Sequence, residues 1–173
     1  MLNDQTLKKM YSRNQLIKNL DSIPTQGGVY FWYVSEAGAK RLNIPVEGCT
    51  TKNGYYLVYI GLSKDLKMRL KWHTVDSHRV SSVKAGAITV LRQKLSTLLS
   101  NNWHSGTVVD DFMDNSMLVE WSANPNYEKV ELELIQSNIL PLNVRNNKHP
   151  FRRELSKRNM QAKRNSLNYF QNN

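Results

Sequence analysis

Five side chains in the sequence could do chemistry together: Tyr30, Tyr59, Arg69, His73 and Glu131. Arg69 and His73 are four residues apart inside LKMRLKWH, a spacing that stacks two side chains on one side of a helix. Glu131 lies in YEKVELELIQSN, where positions 127, 130, 131, 134, 135 and 138 trace one stripe of Tyr, Val, Glu, Leu, Ile and Asn. A carboxylate set into an apolar face costs roughly several kcal/mol unless a cation or donors accept it. Two partners suit it. One is Arg69, in a structural salt bridge. The other is a divalent cation completed by waters and phosphate oxygens, the way Mg²⁺ is usually held. The phenols and the imidazole can donate or accept protons.

Each of these residues needs an element to hold it. GVYFWYV (28–34) and YYLVYI (55–60) are rich in aromatic and β-branched residues and read as strands. Tyr30 sits early on the first and Tyr59 at the tip of the second. Alternation of side chains lets two such tyrosines share one face of a hairpin-like pair. Gly61 ends the second strand, and Ser63 or Asp65 can cap a helix running to about Val75. MLVEWS (117–122) is a third strand. Helical spacing is also found at Gln5–Leu20, at 87–102, at 127–139 ahead of Pro141, and at 151–170 after Pro150. Residues 36–53 read as a loop with at most a short helix. The expected fold is therefore α/β in the α+β sense: a small three-stranded, mainly antiparallel sheet flanked by helices. It forms a single domain over 1–173. An N-terminal helix fills 1–22, a core spans 23–143 with insertions near 36–54 and 82–112, and a basic extension covers 144–173.

The chain has 173 residues and a formal net charge of +10. From Arg145 to Asn173 there are eight Lys or Arg and one acid, Glu154, so this segment carries seven of those charges. Such an excess favours a polyanionic partner, nucleic acid before an anionic membrane. The candidate phosphate contacts are Lys64, Lys71, Arg145, Lys148, Arg152, Arg153, Lys157, Arg158, Lys163 and Arg164. Phe151, Leu155, Leu167 and Phe170 could anchor the terminal helix. No stretch is long and apolar enough to span a membrane, and the N-terminus lacks a signal-peptide core, so a cytoplasmic location is expected. Cys49 is the single cysteine, which excludes an intrachain disulfide and a cysteine zinc cluster. His73 and His78 are five apart, the wrong spacing for a helical zinc pair, and Gly27-Gly28 precedes a strand rather than a helix. The four tryptophans read as core or interface residues rather than base-stacking platforms.

The triplets Gly28-Val29-Tyr30 and Tyr59-Ile60-Gly61, followed by Ser63-Lys64-Asp65-Leu66-x-x-Arg69-Leu70, resemble the GIY-YIG nuclease superfamily. Glu131-x-x-Leu134-Ile135 with Pro141-x-Asn143 resembles its closing motif. Val29 stands where the superfamily's name has Ile, and the connection from Tyr30 to Tyr59 is longer than in compact members. The resemblance covers about Ile23 to Asn143. It implies that Tyr30 and Tyr59 line the active site and that Arg69 stabilises charge on the scissile phosphate. It implies that Glu131 ligates a metal, one Mg²⁺ or Mn²⁺ per active site. His73 matches a histidine of the homing-endonuclease branch and some restriction enzymes. Gly61, Lys64 and Asn143 take supporting places.

The expected activity is metal-dependent hydrolysis of DNA phosphodiester bonds, with double-stranded DNA as partner. Restriction or defence comes first as the setting and a mobile element second, in a bacterial or phage-type context. The segment 82–112, with Lys84, Arg92, Lys94 and His104, is expected to read bases. Double-strand cutting by a single-site domain would favour a homodimer. The general base is open among Tyr30, Tyr59 and His73. The rival reading is a non-catalytic nucleic-acid-binding module on the same fold; a basic structural protein is more distant.

Overall fold

The computed structural model describes residues 9–75 and 78–173. Its centre is an antiparallel sheet of four strands, not three: β1 (Gly28–Ser35), β2 (Thr51–Lys52), β3 (Tyr55–Ser63) and β4 (Met117–Ala123), in the order β2-β3-β1-β4. The additional strand is the short β2. It pairs with the start of β3 across Asn53-Gly54, both at positive φ, the turn geometry that Asn-Gly favours. Around the sheet lie α1 (Arg13–Lys18), α2 (Glu36–Leu42), α3 (Leu66–Val75), α4 (Val80–Ala85), α5 (Val90–Ser100), α6 (Gly106–Ser116), α7 (Tyr127–Ser137) and α8 (Phe151–Asn172).

The register of the β1–β3 pair breaks once. Trp32 faces Tyr59, but Tyr33 faces Leu57, so Val58 is left over in a bulge. The bulge changes which residues share a face. Leu57 and Ile60, three apart, join Tyr33 and Ile135 in the cluster under α7. Tyr59 turns to the other face with Tyr30, Trp32, Leu66, Leu70, Leu91, Leu95 and Phe112, the main core. One face of the sheet thus carries both motif tyrosines toward α3 and α5.

Three expectations about elements change. Helix α1 is confined to Arg13–Lys18 rather than 5–20, because Tyr11 bridges Val119 of β4 and Ser12 and Gln15 form a capping box behind it. The expected residues before Lys9 lie outside the described residues. Segment 36–54 holds the short helix allowed for it, α2, and adds β2. Segment 82–112, expected to read bases, supplies most of α4, all of α5 and most of α6, and its Leu91, Leu95, Val109 and Phe112 are fully buried.

Arg92, expected at a DNA surface, is fully buried. Its guanidinium donates to Asp110 at 2.7 Å, to the His73 carbonyl at 3.0 Å and to His78 Nε2 at 3.2 Å. It ties α3 to α5 and α6. Asp110 also receives Arg13 at 3.1 Å. His104, likewise expected at DNA, stacks on Tyr169 with ring centroids 4.2 Å apart and holds α8. Leu155 and Ala162 of α8 are fully buried, Phe151 packs on the main core, and Leu167 and Phe170 pack beside Trp103. The terminal helix is a wall of the domain.

Replacing Arg92 by Ala should lower the unfolding free energy by about 3 kcal/mol in urea titration. That is the lower end of the cost of breaking a buried pair, because Asp110 keeps Arg13.

Candidate active site

Tyr30, Tyr59, Arg69, His73, Glu131 and Asn143 line one cleft of about 490 Å³. Gly61 is the reason the first tyrosine fits. It is the register partner of Tyr30, and a Cβ on it would lie 2.4 Å from the Tyr30 hydroxyl and ring. The two tyrosine rings lie 6.3 Å apart between centroids. His73, one helical turn after Arg69 on α3, is buried behind Tyr30, with Nε2 3.0 Å from the phenol oxygen. Asp65 caps α3 by accepting from Met68 N at 2.9 Å, and fully buried Leu66 and Leu70 seat the helix on the sheet. This fixes the direction in which Arg69 projects.

Asn143 closes the cleft from the far end of the chain. Its side chain accepts from Ile60 N at 2.9 Å and donates to Ile60 O at 2.8 Å. Leu142 N adds a bond to the Val58 carbonyl at 3.0 Å. The segment after α7 therefore covers the edge of β3 that β2 leaves unpaired. That places Glu131 of α7 and exposed Arg145 on the cleft.

The ion pair between Arg69 and Glu131 does not form. No hydrogen bond or ion pair among the described residues reaches the Glu131 carboxylate, and the buried Arg69 Nε has no hydrogen-bond partner. Burial raises the Glu131 carboxyl above its ordinary range, and Arg145 opposes this. Among the described residues no group of three or more His, Cys, Asp or Glu could hold a metal ion. The single half-buried carboxylate suits a hard cation that keeps most of its waters, and no thiolate or imidazole set competes for a softer one.

Burial pushes the Tyr59 phenol up to about 12, with the Glu131 charge adding to it, while a hydrogen bond from Tyr30 and the Arg69 charge pull it back. Tyr30 is also raised well above its ordinary value, first by burial and then by Tyr59. His73 falls to about 3, through burial and then the Arg69 and Arg92 cations. It is neutral throughout the physiological range.

Lys94 is the residue whose place the sequence did not disclose. It is 4% exposed, lies on the cleft, donates to the Leu142 carbonyl at 2.5 Å, and sits 5.2 Å from the Tyr59 ring centroid. Among the described residues no carboxylate pairs with it, and burial lowers it to about 7. Its only signal was position: on α5 it precedes Leu95, Leu98 and Leu99 on a largely apolar helix.

The expected phosphate contacts divide. Lys64 is exposed on the turn before α3 and Lys71 on α3 itself, and Arg145 is at the cleft. Arg153, Lys157 and Arg164 are exposed along α8, whereas half-buried Arg158 is 3.6 Å from Glu154 and half-buried Lys163 covers the Trp103 ring. Arg152 is half-buried, and Lys148 is exposed beside Ile139 and His149.

Lys94 gives a pH test. A lysine held near 7 in the fold and near 10.5 in the unfolded chain leaves the unfolded state with more protons between those values. Stability should therefore rise from pH 7 toward pH 10 in denaturant titrations, and Lys94→Met should flatten that rise.

No curated protein and no solved structure matches the chain. A family model does: the GIY-YIG catalytic domain matches residues 28–165, from the first motif glycine well into α8. This is most of the chain, and it includes both motif tyrosines, Arg69, Glu131 and Asn143. The chain thus belongs to the GIY-YIG catalytic domain family, a nuclease-type family.

Proposed function

We propose that this protein is a divalent-metal-dependent endonuclease that hydrolyses DNA. One observation carries the reading: Arg69 and Glu131 line the same cleft, and no ion pair joins either of them to the other or to any other described side chain, the Arg69 guanidinium lying over the Trp72 ring instead. Keeping a buried guanidinium nitrogen and a half-buried carboxylate unpaired costs stability. A phosphate with its counter-cation satisfies both at once. A module that only bound nucleic acid would use Arg69 on phosphate but would gain nothing from an unpaired carboxylate beside it.

The chain's own groups then have separate tasks. Arg69 donates to a non-bridging oxygen of the scissile phosphate with its planar fork. Glu131 would hold the cation, Mg²⁺ or Mn²⁺, which would supply Lewis-acid stabilisation of the leaving oxygen. Tyr59 accepts the proton of the attacking water at its phenol oxygen. Tyr30 donates to that oxygen and so favours the phenolate, and neutral His73 donates from Nε2 to Tyr30 behind it. His73 is 1% exposed, which leaves Tyr59 better placed as the acceptor of a water's proton. Its raised phenol needs nearby positive charge. Arg69 provides some, and Lys94, beside the ring, adds more when it is protonated.

The exposed cations Lys64, Lys71, Arg145, Arg153, Lys157 and Arg164 hold the sugar-phosphate backbone, and double-stranded DNA is the favoured substrate. With one cleft per chain, cutting both strands at one place calls for two copies. Restriction or defence is the favoured setting, and a mobile element is the second.

Incubating the chain with DNA and Mg²⁺ and mapping the ends tests the reading. Arg69→Ala and Glu131→Ala should each slow cleavage by roughly 10²–10³ with circular dichroism unchanged. A Glu131→Ala chain that cuts at the unaltered rate would end the assignment. Because α8 is built into the core, its charge is tested by substitution rather than deletion. Replacing Arg153, Lys157 and Arg164 by Gln should reduce the slope of log affinity against log salt by about 0.9 for each phosphate no longer neutralised.

A further inference from the structure

Beside the cleft, between α3 and the first turn of α7, lies a second groove of about 490 Å³. Trp72, Met68 and Tyr127 line it together with Leu62 and Arg69. Trp72 is 48% exposed and Met68 49%, whereas Trp32 and Trp103 are almost wholly buried. Of the four tryptophans expected to be core or interface residues, Trp72 is the one left open to this extent. Tyr127 is held in place from behind: its ring lies against Gly27, where a Cβ would come within 2.3 Å of it. The groove is continuous with the cleft, since Leu62 and Arg69 line both. The Arg69 guanidinium carbon sits 5.5 Å from the Trp72 ring centroid, so a phosphate on Arg69 is only a few bond lengths from the indole.

We propose that this groove binds one unpaired nucleobase of the strand whose phosphate meets Arg69, stacked on Trp72. The proposal rests on the nucleic-acid reading of the neighbouring cleft. A base can stack on a side chain only when its face is free, which a base inside a duplex does not offer. The rim matches a nucleotide. Exposed Lys64 comes from the β3–α3 turn and faces phosphate, and exposed Glu128 from α7 keeps phosphate from that side and can accept from a ring or exocyclic N–H of the base. A second copy of the chain is the poorer occupant, because two chains of net charge +10 repel each other and the rim, with Lys64 and Arg69 against Asp65 and Glu128, offers no net negative charge to offset that.

The test uses the full chain in EDTA, with a thymidine hexamer and an abasic hexamer of the same length as probes. Both keep the phosphates, and only the first has bases. Tryptophan emission should be quenched by the thymidine hexamer and little by the abasic one. The thymidine hexamer should bind about tenfold more tightly, within the range for one stacked base. Trp72→Ala should remove the difference, and Trp72→Phe should keep most of it. Equal binding of the two hexamers to the unaltered chain would overturn the proposal, as would a difference that survives in Trp72→Ala. So would a Trp72→Ala chain that changes its self-association by light scattering while binding both hexamers as before; the groove would then belong to a second copy. Cleavage of DNA with Mg²⁺ by the same preparation separates the two readings. Base-dependent binding without cleavage leaves the groove standing and removes the nuclease. Cleavage without base-dependent binding removes the groove alone.

Discussion

The paired hydrogen bonds between the Asn143 side chain and the Ile60 main chain join parts of the chain 83 residues apart. The rest of the site depends on them. They occupy the donor and acceptor of Ile60 that face away from β1, on an edge that would otherwise be open to any other strand. Doing so, they bring the end of α7 to the tip of β3. The phenol of Tyr59, one residue before Ile60, and the carboxylate of Glu131 then meet across one cleft. A buried amide making two backbone bonds is a rigid joint, because losing either bond would leave a desolvated polar group.

A second constraint is the close approach of Tyr30 to Gly61. Only a residue without a side chain leaves room for the ring there. With the ring in place, Tyr30 stands between Tyr59 and His73, and three titratable groups form one connected row away from solvent. Burial shifts them in opposite senses: it favours the protonated form of the phenols, which Tyr59 leaves only where nearby cations offset it, and the neutral form of the imidazole. The buried end of that row is therefore uncharged, and the formal charges of the site come from Arg69, Glu131, Lys94 and Arg145 around it.

Much of this was legible in the sequence, for physical reasons that can be named. The strands around Tyr30 and Tyr59 announce themselves by dense aromatic and β-branched residues. The helix bearing Arg69 and His73 follows a capping Asp65, as its spacing implies. A glutamate in an apolar stripe marked Glu131. Other features were written but local and easily outweighed. Asn53-Gly54 signals the β2–β3 turn and Ser12-x-x-Gln15 signals the start of α1, although the lysine-rich stretch before it also has helical spacing. What composition could not disclose was burial of charge. Arg92 and Lys94 look like surface cations on a basic chain. Arg92 is inside because Asp110 and two acceptors on or after α3 receive it, and Lys94 because a carbonyl from the segment after α7 does. Those partners are 18 to 48 residues away, except for His78, which is 14 away, and no local pattern connects them.

The tip of the β2–β3 hairpin has a practical consequence. Gly54 holds φ +79° at the turn, and a Cβ there would meet nothing within 4 Å. Neither Asn53 nor Gly54 lines the cleft or the groove beside it. Exposed loop tips of this kind accept inserted sequence and new chain ends. The molecule can thus be lengthened, labelled or opened at this turn, and a fluorophore or affinity tag placed there would leave both candidate binding surfaces uncovered.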